Sequence, residues 1–168
     1  DATLFGDPVW VAQAGALDGA LALDGMDDYL GTAFLLDPGN GPFSVFAWIK
    51  GGAADQVIVS QENARDWLLT NEQGFLMTNL ASDGRRSGGP LVSDVIITDN
   101  NWHRVGVTWD GATRTLYVDD LEAGYDRLSG LKGSDGGLHI GTGKALEVSS
   151  FWAGMLDDVR VYSRAVIP

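Results

Sequence analysis

Residues 102–119 read WHRVGVTWDGATRTLYVD and contain two runs of strand character joined by a turn. The runs at 103–109 and 115–118 are rich in β-branched and aromatic residues, which strands favour. Asp110-Gly111 lies between the runs, and an Asp-Gly dipeptide favours the type I′ turn of a β-hairpin. This stretch therefore predicts an antiparallel hairpin. A second Asp-Gly would be expected at Asp119-Asp120, so either the loop differs there or Asp120 carries mild strain.

Strand-like runs extend in both directions from this hairpin. Residues 43–50 (FSVFAWIK) alternate two sets of side chains, and both sets hold aromatics, which predicts burial on both faces near the middle. Other runs, separated by Gly, Pro, Asn and Asp, lie at 21–23, 57–60, 67–70, 75–80, 92–98, 138–141 and 155–162. No segment holds a convincing helical period. About ten to twelve short strands at this spacing predict an all-β sandwich or barrel.

Composition restricts the class of protein. The chain has 168 residues, no cysteine and a formal net charge of −12. This length fits one domain over residues 1–168. The lack of cysteine excludes a disulfide scaffold, a thiolate zinc site and a cysteine nucleophile. The charge argues against a nucleic-acid partner, which needs clustered Lys and Arg, and no apolar run approaches the ~20 residues of a membrane helix. Because the chain starts at Asp1, we expect a module cut from a larger protein.

Three stretches together resemble the laminin G-like, or concanavalin A-like, jelly-roll superfamily. They are LALDGMDDYL at 21–30, the hairpin at 102–119, and FWAGMLDDVRVYSRA at 151–165. The resemblance covers nearly the whole chain in order. It implies a two-sheet antiparallel jelly-roll sandwich in which the ALALDG strand pairs with the final GMLDDVRVY strand. Members of this superfamily have many functions, so the resemblance is informative about the fold rather than the activity.

Acidic residues in two of these stretches suggest a calcium site. Asp24, Asp27 and Asp28 fall within five positions on a turn. Carboxylates this close repel one another unless a cation lies among them, and calcium takes six to eight oxygen ligands. The resemblance implies a structural calcium ion held by Asp157, Asp24 and Gly25, with Asp27 as a further ligand. The alternative is that these aspartates only cap turns and face solvent.

The chain lacks the catalytic motif of the superfamily's glucanases. Those enzymes carry two glutamates and an aspartate close together on one strand, where alternation places the carboxylates on one face. The four glutamates here lie far apart, and none has an aspartate two residues later: Glu62, Glu72, Glu122 and Glu147. We therefore expect a non-catalytic protein. A carboxylate pair assembled from separate strands, as in a divergent hydrolase or lyase, is the alternative.

The middle of the chain supplies candidates for sugar binding, which combines aromatic rings with a few polar groups. The candidate residues are Arg65, Asp66, Trp67, Asn79, Arg85 and Arg86. The arginine pair could grip a carboxylate or sulfate, which suggests an anionic glycan. The sequence leaves two alternatives for Trp67, a sugar-binding platform or a core residue, whereas Trp48 and Trp102 are predicted to lie in the core. Tyr29 lies in one of the motifs that resemble the superfamily, and His139 lies in a predicted strand. Both positions suggest packing roles.

These observations lead to two hypotheses from different classes. The first is a carbohydrate-binding module of an extracellular or cell-surface bacterial protein, stabilised by calcium. The second is an adhesion or spacer module that binds a protein, or binds nothing. Glycan retention favours the first, and an exposed apolar patch without glycan retention favours the second.

Overall fold

The computed structural model describes residues 1–83 and 88–168, which form two antiparallel sheets of seven strands each. In chain order the strands are β1 Ala2–Phe5, β2 Val9–Val11, β3 Ala20–Asp24, β4 Tyr29–Thr32, β5 Phe43–Gly51, β6 Val57–Gln61, β7 Asp66–Thr70, β8 Phe75–Thr78, β9 Leu91–Ile96, β10 Trp102–Trp109, β11 Thr113–Val118, β12 Leu121–Arg127, β13 Leu138–Ile140 and β14 Ala153–Tyr162. Single turns of 3-10 helix lie at Pro38–Asn40 and Val148–Ser150. The predicted all-β, two-sheet jelly-roll sandwich is confirmed.

The sheet orders show how the sandwich closes. The first sheet runs β1-β4-β13-β6-β7-β8-β9, and the second runs β12-β11-β10-β5-β14-β3-β2. The predicted hairpin is β10 and β11, and β10 pairs along its whole length with β5, the FSVFAWIK strand. The predicted pairing of the ALALDG strand with the final strand is confirmed by the β3–β14 ladder. Each terminal region thus contributes to a sheet.

Four strands escaped the sequence prediction: β1, β2, β4 and β12. The first two are short and largely exposed. Short exposed segments carry little hydrophobic periodicity, which is the main strand signal in a sequence. The fourth follows a two-residue turn at Asp119 and Asp120, whose φ angles are 52° and 66°. Both aspartates therefore adopt the left-handed conformation that Asp-Gly would satisfy more easily.

The period of two along β5 sorts its side chains between two faces. Phe43, Val45, Ala47 and Ile49 lie in the core between the sheets. From the first sheet Trp67 enters the same core; it is 0% exposed, and its ring centroid lies 5.0 Å from that of Phe43. The largest aromatic of the middle segment is therefore a packing residue at the centre of the sandwich.

The other face of β5 points away from the core. Phe46 is nonetheless only 2% exposed, because its neighbours on the outer face of the second sheet cover it. The ring centroids of Tyr117 and Tyr162 lie 6.3 and 6.4 Å away, and the Arg104 guanidinium lies 5.1 Å from the Phe46 centroid. We call these four residues the closed cluster. The expected burial of both faces near the middle of this strand is confirmed.

The prediction that Trp48 and Trp102 lie in the core is wrong. Both side chains are half-buried and project from the outer face of the second sheet. Their cross-strand partners, Arg104 and Lys50, show which face this is. A run that is apolar on both faces gives no local signal for which face packs against the other sheet.

Candidate functional site

The outer face of the first sheet has a groove at the edge formed by β1, β4 and β13. The register places Phe5 opposite Tyr29, and Gly31 opposite His139, and directly opposite residues project from the same face. The next residue of β13, Ile140, belongs to the core, so this set faces outward. The groove has a volume of about 470 Å³, and we call it the aromatic groove. Its lining residues are Asp1, Thr3, Phe5, Tyr29, Gly31, Thr32, Ala33, Glu62 and His139.

The aromatic side chains of the groove form an ordered set. The rings of Phe5 and Tyr29 stack with centroids 4.6 Å apart and planes only 8° from parallel. His139 meets the edge of Tyr29 at 5.4 Å, and the buried ring of Phe151 supports Tyr29 from another side at 6.2 Å. Phe5 is the outermost member and is 42% exposed. The stack thus presents an apolar ring to solvent on a supported base.

Backbone and polar groups complete the groove. A Cβ at Gly31 would lie 3.0 Å from the Phe5 ring, so a side chain here would press on that ring. His139 Nδ1 lies 3.2 Å from the carbonyl oxygen of Gly143; an Nδ1–H that donates there leaves Nε2 as an acceptor. Glu62 is exposed and adds a carboxylate. The groove therefore combines an apolar ring with several hydrogen-bonding groups, the usual make-up of a small-ligand site.

The structure does not assemble the predicted sugar site. Trp67 cannot serve as a platform because it is wholly buried in the core, so that prediction is wrong. Asp66 is 7% exposed; its Oδ1 accepts the Lys144 backbone N–H at 3.1 Å, and its Oδ2 lies 3.3 Å from Lys144 Nζ. These contacts commit the Asp66 carboxylate to an internal pair. Packing of the sandwich, which the sequence does not display, decides both outcomes.

The other predicted sugar contacts fall in different places. Arg65 is half-buried and lines a separate cleft beside Lys132. Asn79 is half-buried, and its backbone N–H donates to the Asp66 carbonyl oxygen at 3.1 Å. Arg85 and Arg86 lie outside the described residues. Of the predicted set, Arg65 thus lines a cavity of the described part of the chain.

The predicted calcium ligands are only partly brought together. Carboxylate oxygens of Asp24, Asp27 and Asp28 lie within 4.8 Å of one another. Asp157 does not join them. In the β3–β14 ladder Asp24 is opposite Ala153, four residues before Asp157, a separation of roughly 13 Å along a strand. The Asp157 carboxylate instead accepts the backbone N–H of Leu17 at 3.0 Å, so its assignment as a ligand of the same ion is wrong.

Two of the three clustered carboxylates, those of Asp28 and Asp24, already have backbone partners. Asp28 is 4% exposed, and its two oxygens accept the N–H groups of Asp7 and Asp24 at 2.7 and 3.0 Å. Asp24 Oδ1 accepts the N–H of Met26 at 2.8 Å. Each carboxylate oxygen can accept more than one contact. The negative charge and the close spacing of these carboxylates therefore fit a cation. Their hydrogen bonds to backbone N–H groups also stabilise the turn without one.

Sequence reasoning missed the groove because its parts come from distant segments. Phe5 and Glu62 were not predicted to be binding residues, and Tyr29 and His139 were predicted to have packing roles. Thr3 and Phe5 alternate with the period of a strand, but nothing local shows that β1 pairs with β4. The pairing of β4 with β13 is equally non-local. Only the tertiary structure brings these side chains to one face.

Comparison with known proteins agrees with this fold. The family model described as the Concanavalin A-like lectin/glucanases superfamily matches residues 24–168. The match extends over well more than half of the chain, and the chain therefore belongs to this laminin G-like family. No curated protein matches it. Among the residues that the structure describes, no helix is long and apolar enough to cross a membrane.

Several solved structures have the same architecture. The binding domain of Paraclostridial Mosquitocidal Protein 1 has a TM-score of 0.77 at 14% identity, covering 99% of this chain and 44% of that one. Domain 4 of AbnA, an extracellular GH43 arabinanase from Geobacillus stearothermophilus, was solved in complex with arabinotriose. It has a TM-score of 0.68 at 14% identity, covering 98% of this chain and 83% of that domain.

Domains LG4-5 of the mouse laminin alpha1 chain are a third example. Their TM-score is 0.59 at 13% identity, covering 87% of this chain and 43% of that one. This chain thus spans less than half of the mosquitocidal binding domain and of the laminin fragment. Identities this low show a shared fold alone.

Proposed function

We propose that this chain is a non-catalytic carbohydrate-binding module and that the aromatic groove holds the sugar. The observation that carries the proposal is the exposed Phe5 ring, stacked on Tyr29 and flanked by His139 and Glu62. The C–H face of a sugar ring is apolar and packs on such a ring, and nearby acceptors and donors orient its hydroxyls. The groove volume lies within the range of small-ligand sites.

The related structures support a binding module. The mosquitocidal protein's domain is named a binding domain, and the arabinanase domain holds arabinotriose. For this chain we infer a glycan ligand and an extracellular or cell-surface setting. The lack of the paired-carboxylate glucanase motif supports the non-catalytic assignment.

The proposal can be tested by affinity electrophoresis in gels containing neutral polysaccharides (arabinan, xylan, β-glucan) or acidic ones (polygalacturonate, alginate). We expect the wild-type chain to be retarded by at least one of them. Phe5→Ala is expected to weaken this retention at least ten-fold, because it removes the exposed ring. Tyr125→Ala is the matched control, since Tyr125 is an exposed aromatic on the other sheet. Wild-type retention by Phe5→Ala would contradict the groove assignment.

The same experiment examines the alternative hypothesis. A folded wild-type chain that no glycan retains would favour an adhesion or spacer module with a protein partner. Scattered exposed apolar side chains, such as Leu121 and Val148, are normal on monomeric proteins and do not by themselves mark an interface.

We also propose that a structural calcium ion is held by Asp24 and Asp27, with Asp28 beside them and the carbonyl oxygen of Gly25 as a further candidate ligand. The ion would neutralise the clustered carboxylates and hold the turn before β4, which carries Tyr29. Binding to the folded state alone stabilises it by roughly 2.7 kcal/mol at a hundred times Kd. Calcium is expected to raise the Tm of the wild type, but not that of Asp27→Asn. An equal Tm in calcium and in EDTA would refute the site.

A further inference from the structure

A second cavity lies beside the aromatic groove, between the turn that joins β6 to β7 and the loop that precedes β13. It has a volume of about 270 Å³, and we call it the basic cleft. Asn63 and Arg65 form one wall, Lys132 and Asp135 form the other, and Gln61 lies at the base. The cleft thus collects charged and amide side chains from two loops on one side of the sandwich.

Gln61 gives the cleft a polar base. Its side chain is 0% exposed, and its Nε2 donates to the carbonyl oxygens of Leu36 and Gly136 at 3.1 and 2.9 Å. These two bonds tie together the segments on either side of the cleft. The buried Oε1 has no hydrogen-bond partner within residues 1–83 and 88–168. Buried acceptors are normally satisfied by the protein or by ordered water, so this oxygen is an unused acceptor at the base of the cleft.

The charges of the cleft differ from those of the whole protein. Two of its lining residues, Arg65 and Lys132, are cationic, and one, Asp135, is anionic. Arg65 makes no ion pair within the described ranges. Lys132 Nζ lies 4.0 Å from Asp83, and both side chains are more than half exposed, so their attraction is weak. Asp37 also lies against the cleft, because its Oδ1 accepts the Ser134 backbone N–H at 3.0 Å. The Arg65 guanidinium, unpaired within the described residues, is therefore the group of the cleft that can bind an anion.

Residues that are adjacent in the sequence line the cleft and the groove. Glu62 lines the aromatic groove, while the residues on either side of it, Gln61 and Asn63, line the basic cleft. The loop before β13 separates the two, and the backbone N–H of Glu62 donates to the Gly137 carbonyl oxygen of that loop at 2.9 Å. One extended ligand could therefore contact both cavities across this loop.

We infer that the basic cleft binds a carboxylate-bearing sugar unit of an acidic glycan whose neighbouring units occupy the aromatic groove. Arg65 and Lys132 face the carboxylate, and a planar guanidinium suits it because it can donate two parallel hydrogen bonds. The Asp135 carboxylate accepts from sugar hydroxyls. This inference rests on the proposed function for its link to the groove, and it specifies the class of glycan.

The cleft can be tested separately from the groove with small probes. In 15N–1H NMR titrations, sodium glucuronate is expected to shift the backbone amides of Asn63, Arg65 and Ser134. Glucose and sodium acetate at the same concentration are expected to shift them at least five-fold less, since each carries only half of the recognised chemistry. The glucuronate shifts should weaken at high salt, which screens the attraction.

Two variants make the test specific. Arg65→Ala is expected to weaken glucuronate binding at least five-fold, whereas Arg127→Ala, which removes an exposed arginine from the other sheet, leaves it unchanged. No glucuronate shift at these amides, or an equal response to acetate, would overturn the inference. If Phe5→Ala leaves polysaccharide retention intact while Arg65→Ala abolishes the glucuronate shifts, the groove proposal fails and the cleft assignment stands. The reverse pattern supports the groove and rejects the cleft.

Discussion

The two sheets carry similar aromatic clusters on their outer faces, but only one of them is open. In the closed cluster, Phe46 lies among two tyrosines and the Arg104 guanidinium and is 2% exposed. In the aromatic groove, Phe5 stacks on Tyr29 and is 42% exposed. Both clusters centre on a phenylalanine beside tyrosine, but Phe5 stacks directly on Tyr29 at 4.6 Å, whereas the two tyrosines of the closed cluster lie 6.3 and 6.4 Å from Phe46. The clusters also differ in whether the chain itself covers the outermost ring.

The comparison teaches how position in the sheet separates stability from binding. Phe46 stands on β5, a central strand with partners on both sides, and long side chains from both partners fold over its ring. Phe5 stands on β1, an edge strand with a partner on one side only. An edge position leaves ring surface uncovered, and that surface is available to a ligand. The closed cluster therefore stabilises the fold, while the groove retains an exposed aromatic.

The largest effect is expected for a ring that is covered on every side. Trp67 is wholly buried between the sheets, so Trp67→Ala should lower the free energy of unfolding by about 5 kcal/mol. Urea denaturation of wild type and variant measures this loss. A Trp67→Ala protein with unchanged stability and lost glycan retention would restore Trp67 as a sugar platform.

The direct comparison is Phe46→Ala against Phe5→Ala. Phe46→Ala should cost about 3 kcal/mol through lost packing, with glycan retention unchanged in the protein that remains folded. Phe5→Ala should cost at most about 1.5 kcal/mol, the scale of one aromatic pair, and should lose retention. Equal stability losses in the two variants would show that the clusters do not differ as exposure indicates.

A smaller loss of stability is expected when Arg104, whose guanidinium lies over the Phe46 ring in the closed cluster, is replaced. Arg104 Nη1 pairs with Asp120 Oδ1 at 2.5 Å, and both side chains are partly exposed. Arg104→Met should cost about 1 kcal/mol, because a cation–π contact of this kind contributes about 0.5–2 kcal/mol and an exposed ion pair adds little. Asp120→Asn is the control: it removes the charge of the ion pair, tolerates the left-handed conformation at this position, and keeps the cation over the ring. Equal losses in both variants would assign the effect to the ion pair.

The smallest effect concerns pH at the strand that carries Arg104. His103 Nδ1 and Nε2 lie 2.8 and 3.0 Å from carboxylate oxygens of Asp119 and Asp99. Desolvation lowers the pKa of His103, but its hydrogen bonds with Asp119 and Asp99 outweigh this, and the pKa is raised above 6.5 in the folded protein. The resulting stabilisation is complete below pH ~6.5 and is lost as pH rises through the folded-state pKa.

The unfolding free energy of the wild type should therefore fall as pH rises above ~6.5, and His103→Gln should remove most of this slope. The pH dependence has the opposite sign for Asp99, whose pKa is lowered to about 2. Backbone and side-chain hydrogen bonds with Asn101 are the main cause, and the hydrogen bond with His103 adds to them. The contribution of Asp99 is present above pH ~3.8 and is lost as pH falls towards 2. A His103→Gln variant with the wild-type slope would show that another group titrates.

Much of the second sheet could be predicted from local sequence. The Asp110-Gly111 turn and the flanking β-branched runs predict β10 and β11, and the period of two in β5 separates Phe43 and Val45 from Phe46. Which of the two faces packs against the other sheet could not be predicted, because both faces of β5 are apolar. Trp48 was consequently assigned to the wrong face.

Less of the candidate sites than of the second sheet could be predicted from local sequence. The acidic turn at 24–28 is local, and its clustering is visible in the sequence. Asp157 was assigned to the same cluster, but the β3–β14 register places it beyond Leu21. Arg65 was identified from its residue type, while its companion in the cleft, Lys132, comes from a distant loop.

The sequence by itself determined the class of fold, since turn residues and strand periodicity act over a few neighbouring positions. It also determined the acidic turn and the lack of a glucanase motif. Only the tertiary structure decided which aromatic rings are covered and which are open. That outcome depends on pairing between segments far apart in the chain, such as β1 with β4 and β4 with β13. Such pairings arise from the burial of the whole sandwich, and no local pattern of residues encodes them.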